Sequence, residues 1–218
     1  IGSRQTLAGD EQGDKGVSAY HQSKVDTAHI AQWGERTSFE TDRGAFTLVV
    51  VKVKHEEPTA FGFKLIMDGK TLGYTSDTEY IESLGTDLSG CDLLIVNCIK
   101  PEHDKYVGHL SSDEVVRILK QAKPKLAVIT HLGIKMLRTG PAEEAERMLE
   151  IGSLKLRTAV LLENVYEARD EVRSLVRMLE IRLEAVKDAE ERKTLLRRVG
   201  EAKDERLHDD PGAFEALA

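Results

Sequence analysis

The sequence predicts an α/β layer followed by an all-α helical-repeat segment, and three observations carry that expectation. Short β-branched runs alternate with helical patterns and glycines up to about residue 150. From residue 157 to 207 the chain has no proline and a single glycine, Gly200, in a dense mixture of Leu, Glu and Arg. Within that tail, residues 157–172 and 191–206 are related by a shift of 34. The expected division is an α/β domain over residues 1–150 and helical repeats over residues 151–218. No Ser/Gly-rich or Pro-rich linker separates the two, so the junction is abrupt.

In chain order, residues 46–54 (FTLVVVKVK) are β-branched and end in apolar/basic alternation, as in a strand. Residues 61–67 and 71–74 flank Asp68-Gly69, a two-residue turn signal that predicts a hairpin. Residues 92–98 (DLLIVNC) form an almost unbroken apolar run, the pattern of a strand buried on both faces. Ser111-Ser112-Asp113-Glu114 caps a helix whose apolar face is Val115, Val116, Ile118 and Leu119, and Pro124 closes it. Residues 125–130 (KLAVIT) read as the next buried strand, and Pro141 opens a helix rich in Glu and Ala.

Composition narrows the function classes. The 218 residues carry 31 Lys and Arg against 38 Asp and Glu, a net charge of −7, so the overall field does not favour nucleic acid or an anionic membrane. No apolar run approaches the roughly 20 residues that span a bilayer, and the first residues lack a signal pattern, so no membrane partner is expected. Cys91 and Cys98 are too few for a disulfide scaffold, which predicts free thiols in a reducing cytoplasm. The chain opens Ile1-Gly2-Ser3 and its first Met is Met67, so it is not expected to be a reading frame translated from its own start.

Four polar residues stand where apolar runs stop or a capped helix begins: His55, Asp77, His109 and His131. Ligands collect at strand ends along one edge of an α/β sheet. One such His is ordinary; three with an Asp are the imidazole and carboxylate donors that suit zinc or iron.

The stretches VKHEEPTAFGFKL, LGYTSDT, GHLSSDEVV and LAVITHLGIKM resemble the carboxyl-terminal half of metallo-β-lactamase-fold hydrolases. The likeness runs over residues 1 to about 148 and is greatest to archaeal members and to the tRNA 3′-end processing RNase Z enzymes. It implies a partial αββα-type layer, metal ligation by His55, Asp77 and His131, and a bridging role for Asp77 between two metals. It further implies that His109 lies outside the metal shell and assists the leaving group, so that Asp77 and His109 are the catalytic pair. The cofactor implied is Zn2+, or Mn2+ or Fe2+, with two ions in a completed site. A carboxylate between two cations screens their repulsion, and His109 has an ordinary pKa near neutral pH, as a general acid requires.

The sequence departs from the family in two places. No HxHxDH motif occurs among the histidines at 21, 29, 55, 103, 109, 131 and 208, and Asn97-Cys98 stand where RNase Z-like enzymes carry a His-Glu pair. Three origins stay open: a preceding half that is cut off or supplied by another chain, a metal-free relative, or a fusion of two fragments. The segment GDEQGDKGVSAYHQSKV resembles the stretch that follows the motif in archaeal hydrolases, which favours the first.

In the tail, Leu161-Leu162 map onto Leu195-Leu196 and Val165 onto Val199, while Tyr166 becomes Gly200. The period resembles that of tetratricopeptide-type repeats, which bind protein partners, here another protein or a second chain. Arg177, Arg182, Arg197 and Arg198 are read as a solvated face paired with Glu, and Leu175, Leu179, Ile181 and Leu183 as core. The expected function is metal-dependent hydrolysis of a phosphodiester, in a nucleotide, RNA or small molecule. The alternative is a non-catalytic interaction module built on the repeats, or an artificial fusion.

Overall fold

The computed structural model describes residues 19–25, 31–57, 59–101 and 108–217. They fall into two units, Ile1–Lys135 and Met136–Ala218. The composition change near residue 150 lies inside the second.

Unit 1 holds α1 (Ala19–Gln22), β1 (Arg36–Thr41), β2 (Gly44–Lys52), β3 (Phe61–Met67), β4 (Lys70–Tyr74), α2 (Leu84–Asp87), β5 (Leu93–Asn97), α3 (Ser112–Ala122) and β6 (Leu126–Thr130). The six strands form one sheet in chain order. The first three pairings are antiparallel and the last two parallel. The predicted hairpin is β3–β4, and Asp68 and Gly69 both have positive φ, 49° and 69°, as a turn matching the strand twist requires.

Pairing direction decides what the sheet can build. Because β2 and β4 each run antiparallel to β3, they run parallel to one another, and β5 and β6 continue that direction. The carboxyl ends of β2, β4, β5 and β6 therefore share one edge of the sheet.

One sheet face is closed by helices. Leu94 and Val96 of β5 are fully buried, as are Leu84, Leu88, Ile118 and Leu119 around α2 and α3. A Cβ on Gly73 of β4 would stand 2.7 Å from Cys91 Sγ and 3.3 Å from Leu88 Cδ2, so only a glycine admits this close layer. Helix α3 starts as predicted, with the Ser111 N–H donating to Glu114 Oε2 at 3.0 Å. It ends at Lys123, whose φ of 48° breaks the helix before Pro124.

Two strand expectations are corrected. In β5 only the Leu94/Val96 face is sealed, while Leu93 and Ile95 are half-buried. The run 125–130 is not a doubly covered strand: β6 is last in the sheet order, and Val128 is 44% exposed. An apolar run does not reveal how many strands flank it, and alternate residues of an edge strand still point away from the helices.

Helix α4 (Ile134–Thr139) crosses into unit 2, which continues with α5 (Pro141–Ala145), a 3-10 turn (Glu146–Glu150), α6 (Gly152–Ala168), α7 (Val172–Ala185), α8 (Ala189–Glu201), a π-helical segment (Ala202–Arg206) and α9 (Asp210–Leu217). Its core gathers Leu162, Tyr166, Leu175, Met178, Leu179, Leu195 and Val199, with Ile181 and Leu183 packed against it. The sequence-related stretches lie on α6 and on α8 with the π segment. Tyr166 is buried and donates from its hydroxyl to Glu146 Oε1 at 2.6 Å. At its counterpart Gly200, a Cβ would lie 2.7 Å from Leu217 Cγ, so α9 closes over the helix where the first copy has a ring.

Arg177, paired with Glu146, and Arg197 are exposed as expected, but Arg182 and Arg198 reach a buried partner. Glu163 of α6 is 6% exposed and accepts from Arg182 of α7 at 2.6 Å and from Arg198 of α8. Burial pushes its carboxyl up, yet the hydrogen bonds from Arg182 and Arg198 prevail and hold it below the usual glutamate value. No described helix is long and apolar enough to cross a membrane. Cys91 and Cys98 are buried and are not joined in a disulfide.

Candidate metal centre

The shared sheet edge explains how residues far apart in sequence meet. His55 follows β2, Asp77 follows β4, Asn97 ends β5, His109 precedes α3 and His131 follows β6. Backbone bonds fix the loops between them. The Lys54 N–H donates to Thr78 Oγ1 at 3.0 Å, and the Glu79 N–H donates to the Lys54 carbonyl at 2.7 Å. On the far side, the Cys98 N–H donates to the Thr130 carbonyl at 2.9 Å, and the Ile99 N–H to the Leu110 carbonyl at 3.2 Å. Ser76 and His131 both adopt positive φ, 60° and 59°, an unfavourable conformation for residues with a side chain.

One donor atom each from His55, Asp77 and His109 lies within 4.8 Å of the other two. His131 Nε2 stands 3.7 Å from Asp77 Oδ1. The His109 ring meets His55 edge-on at 5.6 Å between centroids and stacks on His131 at 5.5 Å. All four predicted residues therefore gather in one cluster, and the tightest group contains His109 in addition to His55 and Asp77. The side chains of Asp77 and His131 are 36% and 47% exposed, so solvent and small solutes reach the cluster.

Protonation favours cation binding at one ring. Burial holds the His109 imidazole below the usual histidine value; Asp77 opposes this, while His131, His55 and the buried Lys100 reinforce it. The ring is thus neutral near pH 7, the form that donates a lone pair to a metal. His55 Nδ1 accepts the Glu57 N–H at 3.2 Å, a contact that fixes the ring orientation.

Three further residues shape the cluster. Asn97 is fully buried, and its side-chain amide donates to Asp77 Oδ1. Gly108 has φ of 85°, and a Cβ there would lie 3.3 Å from His55 Cδ2. Its N–H donates to Glu79 Oε1 at 3.1 Å, and Glu79 pairs with Lys54 at 2.5 Å. The hydrogen bond from Lys54 holds the Glu79 carboxyl below its usual value against burial, with the Gly108 N–H helping. Sequence reasoning singled out neither Gly108 nor Glu79, although Gly108 directly precedes His109; their pairing spans 29 residues and has no local signature. Trp33 is 49% exposed; its Nε1–H donates to the Ala60 carbonyl at 3.1 Å and the Lys52 ammonium lies 5.1 Å from its ring.

The mixed sheet thus carries imidazoles and a carboxylate, donor types that suit a divalent cation, together at one edge. Residues 4–132 match the family model described as a beta-lactamase superfamily domain, and the chain belongs to that family. All four clustered residues fall within the match, and the six-stranded sheet is consistent with the metallo-β-lactamase fold.

An uncharacterized protein of Methanocaldococcus jannaschii is 33% identical over 149 residues, which cover 67% of this chain and 53% of the relative. The metallo-beta-lactamase fold protein YhfI of Bacillus subtilis is 24% identical with a TM-score of 0.46, covering 56% of this chain and 48% of its own. The short form of human tRNase Z is 21% identical with a TM-score of 0.37, covering 42% and 37%. The chain spans about half the length of the first two relatives.

Proposed function

We propose that unit 1 is a divalent-metal-dependent hydrolase domain acting on a phosphodiester, with its cation held by His55, Asp77 and His109 and with His131 beside them. The observation that carries this is the convergence of three donor atoms within 4.8 Å at the edge of a family-matched sheet. The donor chemistry fits: imidazole nitrogen and carboxylate oxygen bind zinc, three protein ligands leave a position open, and the cluster is open to solvent. A bound divalent cation supplies Lewis-acid polarisation of the scissile group and lowers the pKa of water. Asp77 contributes the negative charge that offsets the cation. His131, more exposed than Asp77, stands beside that carboxylate with Nε2 3.7 Å from Oδ1, on the solvent side from which a substrate would enter. Two ions would need more donors than these four side chains offer, and a segment bearing HxHxDH, upstream or from another chain, would supply them. The phosphodiester assignment rests on the likeness of GHLSSDEVV to the RNase Z branch.

The test is turnover of an aryl phosphodiester with added Zn2+ or Mn2+, together with metal analysis. Metal-stimulated turnover that falls by at least about 100-fold in Asp77→Ala, with loss of bound metal, is expected. Absence of both metal binding and turnover, also after addition of a chain bearing HxHxDH, rejects the proposal.

A second reading concerns unit 2, as a tetratricopeptide-like module for a protein partner or a second chain. It is supported by Leu156, Val160 and Leu161, which are 44%, 39% and 61% exposed on α6. Leu156 and Val160 are four apart and share a helix face, an apolar strip of the kind partners cover. Unchanged partner capture or self-association in Leu156→Glu/Val160→Glu would reject it.

A further inference from the structure

Asn97 is the single polar side chain in the run Leu93–Asn97, otherwise Leu, Leu, Ile and Val, and it is fully buried. Its two ends are treated differently. The amide nitrogen donates to Asp77 Oδ1, whereas the amide oxygen is buried without a hydrogen-bond partner. The opposite amide orientation would set two oxygens against each other, so the donor end must face the carboxylate. A residue kept for packing alone would be better as an aliphatic, which would leave no buried acceptor unmet. The satisfied end points to the role, and that end touches only the candidate ligand.

Asn97 is itself firmly placed. Its backbone N–H donates to Thr75 Oγ1 at 3.0 Å, and the Thr75 hydroxyl donates to the Ser76 carbonyl at 3.0 Å. The Thr75 N–H donates to the Ile95 carbonyl at 3.1 Å. The strand that carries Asn97 and the loop that carries Asp77 are thereby tied on both sides of the side-chain contact. Asp77 is left with one oxygen engaged by a rigid donor, which turns its carboxylate as a unit towards His55 and His109.

We infer that Asn97 is a positioning residue that orients the Asp77 carboxylate for cation binding through its buried side-chain amide. This rests on the metal reading above. Hydrogen-bond donors behind a ligating carboxylate typically change metal affinity by about 10- to 100-fold.

The probe is Co2+, titrated into the full chain and followed by its visible absorption, with denaturant stability measured on the same samples. Wild type is expected to bind Co2+ with a ligand-field band. Asn97→Leu is expected to bind about 10- to 100-fold more weakly with an altered band, while its global stability is unchanged or higher because the unmet amide oxygen is gone. Affinity and structural stability then move in opposite directions, which a merely structural residue would not produce. Should the Leu variant not fold, Asn97→Ala removes the donor without adding bulk or charge and is expected to weaken Co2+ binding likewise. A folded variant with wild-type affinity and an unchanged band overturns the inference and leaves the metal reading standing. A wild-type chain that binds no Co2+ removes the metal reading, and the inference with it.

Discussion

Gly108 matters because of where its missing side chain would stand. Its φ of 85° is one that L residues avoid, and a Cβ would press on the His55 ring at 3.3 Å. Gly108→Ala is therefore expected to lower stability by about 1–2 kcal/mol through backbone strain and to weaken Zn2+ binding by displacing His55, read by denaturant midpoint and by calorimetric titration. The neighbouring loop offers a control in kind. Glu79 holds the Gly108 N–H from a position braced by Lys54, so the glycine's conformation is imposed from outside its own segment. Such a residue is invisible to motif reasoning, which recognises the histidine and passes over the backbone that aims it.

Among elements, the β3–β4 pair and the α6–α8 helices make the sharpest demands. A Cβ at Gly62 would meet the carbonyl oxygens of Tyr74 and Thr75 at 2.7 and 2.9 Å. These are main-chain atoms that cannot rotate aside, and they lead directly to Asp77. Gly62→Ala is expected to destabilise unit 1 by about 1–3 kcal/mol, with a parallel loss of metal affinity, measured by urea unfolding and Zn2+ titration. In the helices, Glu163 binds arginines of two other helices from a buried position. Glu163→Gln removes the carboxylate those arginines share, and about 1.5–3 kcal/mol of stability should be lost, less than for a fully enclosed pair because Arg182 keeps Glu191, Arg198 keeps Glu167 and the Arg198 side chain is 38% exposed. The pH dependence follows from the depressed carboxyl. Wild type keeps this stabilisation above the unfolded-state value near 4.5 and loses it as pH falls through the lower folded value. Urea midpoints at about pH 7 and about pH 3.5 should converge between wild type and Glu163→Gln at the acid end; an equal gap at both would reject the assignment.

At the scale of the whole molecule, what could be read in advance was local. Asp68-Gly69 announced a hairpin because left-handed turns need such residues, and Ser111 with Glu114 announced α3 because capping is completed within four residues. The positions 55, 77, 109 and 131 stood out because apolar runs stop or a helix begins there. What remained hidden depends on pairing across the chain. The parallel direction of β4, β5 and β6, which brings the cluster to one edge, is settled by partners 21 and 33 residues away. The edge status of β6 is a property of sheet order, and the contact of Asn97 with Asp77 joins neighbouring strand ends. Arg182 and Arg198 read as solvated for the same reason: a charged residue reads as solvent-facing until its helix acquires neighbours, here the buried Glu163. One feature of the β1–β2 region makes the two units separable in practice. Trp33 is the sole indole in the chain, so emission excited at the red edge of the absorption band arises from unit 1 alone. Unfolding followed in that signal reports on unit 1, and set beside far-UV circular dichroism, which weighs the helices of both units, it shows in which part of the protein each substitution above acts.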